Sequence, residues 1–246
     1  MIKEQTFEKM KKMRMNHLAQ LLKEMEENKS MTTLSFDERI GILIDTEWNY
    51  RQNRRSQLLN KQSDFTEKNA CIEGIDYQPE RNIDKALIFQ LATCDYIKAR
   101  QDALILVKTG VGKSYMAQAL GNSACRNGIP TRYITLADLF DELAVAAQAG
   151  QLNQAFDSFI KPPLLILDDY FLTKPSNMDA ERLLKLVEKR MHIGSTIYCS
   201  QLNPEKWHAR VDEKIIADAI LDRVVNRSHV LTLEGESMRK RMNPEQ

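Results

Sequence analysis

From residue 102 onward the chain alternates short apolar runs with longer helical stretches, and this alternation constrains the fold more than any other feature of its 246 residues. The apolar runs are ALILV (103–107), TRYITL (131–136), PLLILDD (163–169), STIYCS (195–200) and HVLTL (229–233). Helical stretches lie between them: GKSYMAQALGNSACRNG, LADLFDELAVAAQ, LNQAFDSFI, AERLLKLVEKRM and KIIADAILDRVV. Strands that are apolar throughout and separated by helices predict a parallel sheet covered on both faces. An α/β domain with a five-stranded parallel sheet between helices is therefore expected over 101–241, with 242–246 as a tail. Gly128 sits where a helix-ending glycine belongs.

The preceding third of the chain reads differently. Phe7, Met10, Leu18, Leu21, Leu22 and Met25 recur at three- and four-residue steps, as on an amphipathic helix. A second helix opens at Ser35 and Glu38, a capping box, with Phe36, Ile40, Leu43 and Ile44 as its apolar face. That helix continues into a run of one sign: Arg51, Arg54, Arg55 and Lys61. Most charge runs are solvated helix faces, but a cluster of cations without balancing acids also suits a polyanion. Residues 1–68 are expected to form a small all-helical domain. Gly74, Pro79 and the PERNID turn break periodicity, so 69–100 reads as a linker with one short helix.

Composition excludes several classes. Net charge is +1, with 43% hydrophobic and 28% charged residues, as in ordinary soluble domains. No apolar run is long enough for a membrane span, and the N-terminus lacks the apolar core of a secretory signal, so a cytoplasmic protein is expected. Cys71, Cys94, Cys125 and Cys199 are scattered without paired spacing, which suits reduced thiols, and the histidines are equally dispersed.

The first strand runs straight into Val107, Lys108, Thr109, Gly110, Val111, Gly112, Lys113, Ser114 and Tyr115. This stretch supplies what a nucleotide phosphate site requires. Glycines let backbone N–H groups turn inward, Lys113 reaches the terminal phosphates, Ser114 holds Mg²⁺, and the helix that starts there adds its positive end. The pattern G-x-x-x-x-G-K-[ST] asks for glycine where Val107 stands. At β-type dihedrals valine fits there; at positive φ it is an outlier and affinity suffers. The third strand ends in Asp168 and Asp169, a Walker B pair matching this Walker A loop. Asp168 is placed to hold Mg²⁺ through water, and Asp169 to orient or deprotonate the attacking water. One strand lies between the two motifs in sequence, the order of hydrolysing ATPases with an added catalytic strand. Ser200 and Gln201 end the fourth strand and are expected to face the γ-phosphate. Arg223, at the end of an amphipathic helix, suits a surface salt bridge or an arginine finger reaching a neighbouring subunit.

Several segments together resemble a known family. LSFDERIGILIDTEWNYRQNRR, IDYQPERNIDKALIFQLATCDYI, TGVGKSYMAQALGNSACRNG, LLILDDY, STIYCSQLNPEKWH, ADAILDRVV and LEGESMRKR resemble, in that order, the IstB-like ATP-binding proteins. These are helper ATPases encoded beside the IstA transposase in bacterial insertion sequences. The resemblance spans about Met10 to Arg241, and the LSF-ER and NRR stretches are not shared by generic P-loop proteins. It implies an AAA+ core akin to DnaC helicase loaders and DnaA initiators, and an N-terminal domain that engages duplex DNA and a partner. The short stretch after GESMRKR leaves no room for the helical lid of longer AAA+ proteins, so no C-terminal lid is expected. It also implies ATP-dependent homo-oligomerisation on DNA and delivery of target DNA to an IstA-type transposase. ATP and Mg²⁺ are the implied cofactors, and Arg239 in GESMRKR is a second candidate for an intersubunit arginine. The helical stretch between the second and third strands resembles the initiator-type insertion of this clade. It is acidic here (Asp138, Asp141, Glu142, Asp157), so no DNA contact is assigned to it. Family members carry glycine at the position of Val107.

Three other readings stand beside a DNA-dependent ATPase of transposition. A replicative helicase loader would share the core and differ in its N-terminal domain and partner. A nucleotide-binding DNA scaffold would bind without effective hydrolysis. A small-molecule kinase would need an acceptor pocket and an arginine-rich lid, and neither is legible.

Overall fold

Register is the organising fact of the sheet. In the computed structural model, which describes residues 4–28, 31, 33–107 and 112–234, five strands pair in parallel in the order β2-β3-β4-β1-β5. They are β1 (Asp102–Val107), β2 (Thr131–Thr135), β3 (Leu164–Asp168), β4 (Ser195–Ser200) and β5 (Ser228–Leu233). Leu104 lies opposite Tyr198 on β4 and Val230 on β5, and Ile166 lies between Tyr133 and Ile197. β4 is thus inserted between the strand that leads into the loop and the strand that ends in the two aspartates.

Alternation along each strand divides the side chains between two cores. Ala103, Ile105, Val107, Leu164, Ile166, Ile197 and Cys199 face one side, where α6 (Lys113–Arg126) packs with Met116, Ala117 and Leu120. Leu104, Leu165, Leu167 and Tyr198 face the other. There α7 (Leu136–Gln148), α8 (Leu152–Ile160), α9 (Asn177–Arg190) and α11 (Lys214–Val225) cover the sheet, with α10 (Pro204–Trp207) placing Trp207 in the same core. The helices start where local chemistry supplies caps. Thr135 accepts from Asp138 N–H at the head of α7, and Ser176 from Asp179 N–H at the head of α9. α6 closes on Gly128 at φ 73°.

The segment 69–100, read above as a linker, is packed. Ala70, Ile72, Ile75, Ile88, Leu91, Tyr96 and Ile97 join the α6 core, with α4 (Lys85–Ala92) and α5 (Asp95–Lys98) among their carriers. Buried polar groups of α6 hold the approach to it. Gln118 Oε1 accepts from Glu67 N–H at 2.7 Å, and Asn122 donates to the carbonyl of Ala70 at 2.7 Å. Sequence periodicity could not show this, because the apolar residues follow short turns rather than one helical period.

The chain divides into two compact units, Met1–Ser56 and Gln57–Gln246. The first is helical: α1 (Glu4–Lys12), α2 (Asn16–Glu27) and the larger part of α3 (Phe36–Gln62). The expected single N-terminal helix is broken at Arg14, whose φ is 59°. The capping box is present: Glu38 N–H donates to Ser35 Oγ at 3.3 Å and Ser35 N–H to Glu38 Oε2 at 2.8 Å. The expected apolar face of α3 is only partly used. Leu43 is buried, while Phe36, Ile40 and Ile44 are exposed, because three helices offer too little surface to cover that stripe. No helix among the described residues is long and apolar enough to cross a membrane, and no helix follows β5 among them.

Candidate nucleotide site

The sheet's carboxyl edge collects the charged groups. β1 ends at Val107, which is still a strand residue paired with Leu233, and its side chain is buried. The β-type backbone resolves the question raised by valine: a β-branched residue is favoured at this position. Lys108, Thr109, Gly110 and Val111 lie outside the described residues, as does Arg239. Gly112 caps α6 at φ 100°, a conformation that L side chains rarely adopt, and the helix opens with Lys113 and Ser114.

Lys113 is buried, and its ammonium bridges both aspartates, 2.7 Å from Asp168 Oδ1 and 2.5 Å from Asp169 Oδ1. Strand alternation explains the meeting, since Leu164, Ile166 and Asp168 share one face, the face that α6 covers. Asp169 reaches back because its φ of 51° turns the chain out of the strand, a conformation that aspartate tolerates better than most residues. Its N–H donates to Asp168 Oδ1 at 2.7 Å. Tyr133, on β2, donates its hydroxyl to Asp168 Oδ2 at 2.8 Å. Sequence reading missed Tyr133; the signal was its place on the strand next to β3, facing α6.

Each group perturbs the others. Burial alone would raise Asp168, but the Lys113 charge and hydrogen bond, with Ser114 and the Asp169 N–H, hold it below the usual carboxylate range. Burial would lower Lys113; Asp168 and Asp169 reverse that, so it stays protonated. Burial and the neighbouring Asp168 push Tyr133 up, keeping it a hydrogen-bond donor. The result is a buried cation clamped by two carboxylates at a helix N-terminus.

One expectation fails for a physical reason. Ser200 is fully buried and on the wrong face. Alternation puts Cys199 toward α6 and Ser200 toward Trp207. Its hydroxyl donates to the carbonyl of Tyr170 at 2.8 Å and accepts from Leu202 N–H and Trp207 Nε1–H, each at 3.1 Å. That exhausts its capacity, so Ser200 is a structural residue of the aromatic core. Tyr115 follows Ser114 in the first turn of α6, and its hydroxyl accepts from Cys71 N–H at 3.3 Å. Gln201, one residue past β4, is half-buried. Arg223 lies in the last turn of α11 and donates to Glu188 Oε1 on α9 at 2.8 Å. In the other unit Arg51 and Arg54 are exposed on α3, three residues apart, with Arg55 exposed beside Arg54. Arg51 is also paired with Glu47 at 2.6 Å. Lys61, exposed, sits in the last turn of α3 within the second unit.

A sequence model of the IstB-like ATP binding protein family matches residues 8–246. The chain belongs to that family. Relatives within it include y4pL of Sinorhizobium fredii, provisionally named an insertion sequence ATP-binding protein. It is 34% identical over 240 residues, covering 98% of each chain. The corresponding protein of insertion sequence IS1162 from Pseudomonas fluorescens is 34% identical over 202 residues, covering 82% of this chain and 87% of its own. Among solved structures, DnaI superposes with a TM-score of 0.59 at 19% identity, over 68% of this chain and 92% of its own. The DnaC helicase loader gives 0.57 at 16%, over 68% and 97%. DnaA bound to AMPPCP and single-stranded DNA gives 0.56 at 18%, over 70% and 52%. These likenesses show the AAA+ fold of the IstB-like chain, and its family is one of ATP-binding proteins.

Proposed function

We propose that this IstB-like protein is a DNA-dependent ATPase that assembles on duplex target DNA in its ATP state and assists an IstA-type transposase. The observation that carries this reading is the Lys113 bridge to Asp168 and Asp169 at the head of α6. The donor set fits Mg–ATP: a buried ammonium and a helix N-terminus for phosphate, and Ser114 and Asp168 for the metal. Bound Mg–ATP supplies a phosphoanhydride and a charge that neutralises the phosphates. The chain's own groups do the rest. Lys113 exchanges its carboxylate partners for phosphate oxygens. Asp168, held at its other oxygen by Tyr133, keeps the orientation needed by a metal ligand. Asp169, 40% exposed and freed from the ammonium, can accept a proton from water. Gln201 lies beyond the tip of the strand between β1 and β3, where a polar group can report on the terminal phosphate.

Arg223 gives the switch its reach. Its guanidinium is partly exposed and held by Glu188, and exchanging that carboxylate for a neighbouring subunit's γ-phosphate is an exchange of one charge-assisted contact for another. ADP offers no such partner, so assembly follows the nucleotide state. The insertion-sequence names of the relatives support transposition over helicase loading. Arg51, Arg54, Arg55 and Lys61 supply charge without a base-reading motif, so their contacts are directed at phosphates. The test is ATP hydrolysis with and without duplex DNA, for wild type and Asp169→Asn. Stimulation by DNA in the wild type, and collapse of turnover with ATP affinity retained in the variant, are expected. Equal turnover in the two proteins would overturn the assignment of Asp169.

A further inference from the structure

Arg81 lies in the segment that sequence reading took for a linker, and the fold brings it to Gly112 at the head of α6. The turn Pro79–Arg81 is opened by its proline and closed by Asn82 at φ 45°. Glu234, just past β5, donates its N–H to the Arg81 carbonyl at 3.0 Å. That bond ties the turn to the sheet edge where β5 ends beside Val107 of β1. The side chain is 5% exposed. Nη1 donates to the carbonyl of Asp76 at 2.8 Å, and the Asp76 carboxylate stands 3.9 Å away. Nη2 lies beside Gly112: a Cβ placed on that glycine would be 3.3 Å from it.

We infer that Arg81 is a nucleotide-binding residue, supplying a guanidinium from the protein's own chain to the polyphosphate at the head of α6. The inference rests on the ATP-binding reading of the Lys113 site. A guanidinium is always charged. Here it is buried against the residue that caps α6, where the helix presents its positive end and the next residue is the buried Lys113. A cation at a helix N-terminus is unfavourable by itself. The same arrangement is favourable once a polyanion lies between the guanidinium, the ammonium and the helix N–H groups. Asp76 partners this guanidinium from the side of the turn, its carboxylate 3.9 Å away and 25% exposed. Gly112 belongs to the same argument, because glycine at that position leaves the guanidinium a close approach to the backbone at the head of α6.

The competing account makes Arg81 a staple for the 76–81 turn. Titrations of the full chain with Mg–ATP, and with inorganic triphosphate as a probe free of adenosine, distinguish the two. Wild type, Arg81→Gln, Arg81→Lys, Asp76→Ala and Lys113→Ala are compared, with thermal melts alongside. A charge-assisted hydrogen bond lost from a buried anion site weakens binding by about tenfold or more. Arg81→Gln is expected to show that loss for both ligands, Arg81→Lys to recover part of it, and Asp76→Ala to bind within about threefold of wild type. Arg81→Gln binding both ligands as wild type does would overturn the inference. So would equal losses in Arg81→Gln and Asp76→Ala, which would make the residue a staple. If Arg81→Gln does not fold, Arg81→Lys decides, since a staple role predicts unchanged triphosphate affinity in any lysine variant that melts like wild type. A wild-type protein that binds no better than Lys113→Ala would instead bring down the ATP-binding reading, and this inference with it.

Discussion

The two units bury their apolar side chains to very different extents. In Gln57–Gln246 two cores close on either face of the sheet, and Trp207, Tyr170, Tyr198, Phe159 and Leu104 are at most 1% exposed. In Met1–Ser56 the buried apolar side chains among the described residues are Phe7, Leu18, Ala19 and Leu43, while Met13, Phe36, Ile44 and Trp48 stand more than half exposed. Phe36, Ile40, Ile44 and Trp48 recur every fourth residue, a continuous stripe along α3. The second unit encloses both faces of its sheet, and the apolar side chains it exposes, Val145, Met178 and Ile215 among them, stand on separate helices rather than in one stripe. The first keeps apolar surface in water, next to the arginines of the proposed DNA contact, as surfaces that act by contact with something else do.

The sharpest test of that division is Lys113→Ala. It removes the cation that organises the second unit's site, so Mg–ATP affinity should fall by a factor of 100 or more, roughly the value of a buried charge-assisted contact and its helix-end partner. Isothermal titration measures it. DNA binding at low salt without nucleotide should be nearly unchanged, because the charges proposed for it lie on α3. A loss of nucleotide-free DNA binding in Lys113→Ala would erase the separation.

A tryptophan from each unit tests the packing half of the comparison. Trp207 is enclosed by Tyr170 and Phe171, with ring centroids 4.9 and 5.7 Å away, and its Nε1–H bonds Ser200 Oγ. Trp207→Ala should cost about 3–5 kcal/mol, the range for large aromatic truncations in cores. Trp48, 62% exposed, should cost less than about 0.5 kcal/mol when replaced by alanine. Chemical denaturation of both variants gives the contrast. Similar losses would mean that α3 is covered.

Legibility followed the same line. The strands, their helices and the Lys113–Asp168–Asp169 set were readable, because continuous apolar runs and a loop between strand and helix are local patterns. What failed was non-local or one step of arithmetic away. Ser200 was assigned to the nucleotide although Ile197 and Cys199 sit on the α6 face, which by alternation sends Ser200 to the other. Tyr133 and Arg81 were invisible because their relevance depends on which strand neighbours β3 and on a turn that folds back to Gly112. The exposed stripe on α3 reads in sequence like any core-facing helix face; only the absence of enough covering helix surface reveals it.

Asp102 gives a smaller effect, confined to the second unit. It is buried at the start of β1, where it accepts from Thr196 N–H at 2.7 Å. Burial pushes its carboxyl up to about 6, against the Thr196 N–H and the charges of Arg227 and Arg190. A folded-state value above the unfolded one favours the protonated form. The stabilising contribution is full below about pH 4 and is lost as pH rises through 6. Asp102→Asn, which keeps the acceptor oxygen, should raise stability at pH 7 by about 2 kcal/mol and change little near pH 4. Thermal melts at the two pH values measure it. A variant less stable at pH 7 would show that the nearby arginines depend on this charge.

Tyr133→Phe is expected to have the smallest effect. It removes one hydrogen bond to Asp168 Oδ2 without changing packing, worth about 1 kcal/mol. The Mg²⁺ concentration that half-saturates hydrolysis should rise about fivefold, with Mg-free nucleotide affinity unchanged. An unchanged Mg²⁺ requirement would leave Tyr133 a packing residue.

The central claim is that the self-contained unit controls assembly through its nucleotide. Sedimentation on duplex DNA with a non-hydrolysable ATP analogue and with ADP, for wild type and Arg223→Ala, tests it most directly. Wild type should form large complexes with the analogue and not with ADP. Arg223→Ala should bind the analogue with wild-type affinity, since its own Lys113 site is intact, and fail to assemble. Arg223→Ala complexes as large as those of wild type, or wild-type complexes of equal size with ADP, would contradict the account.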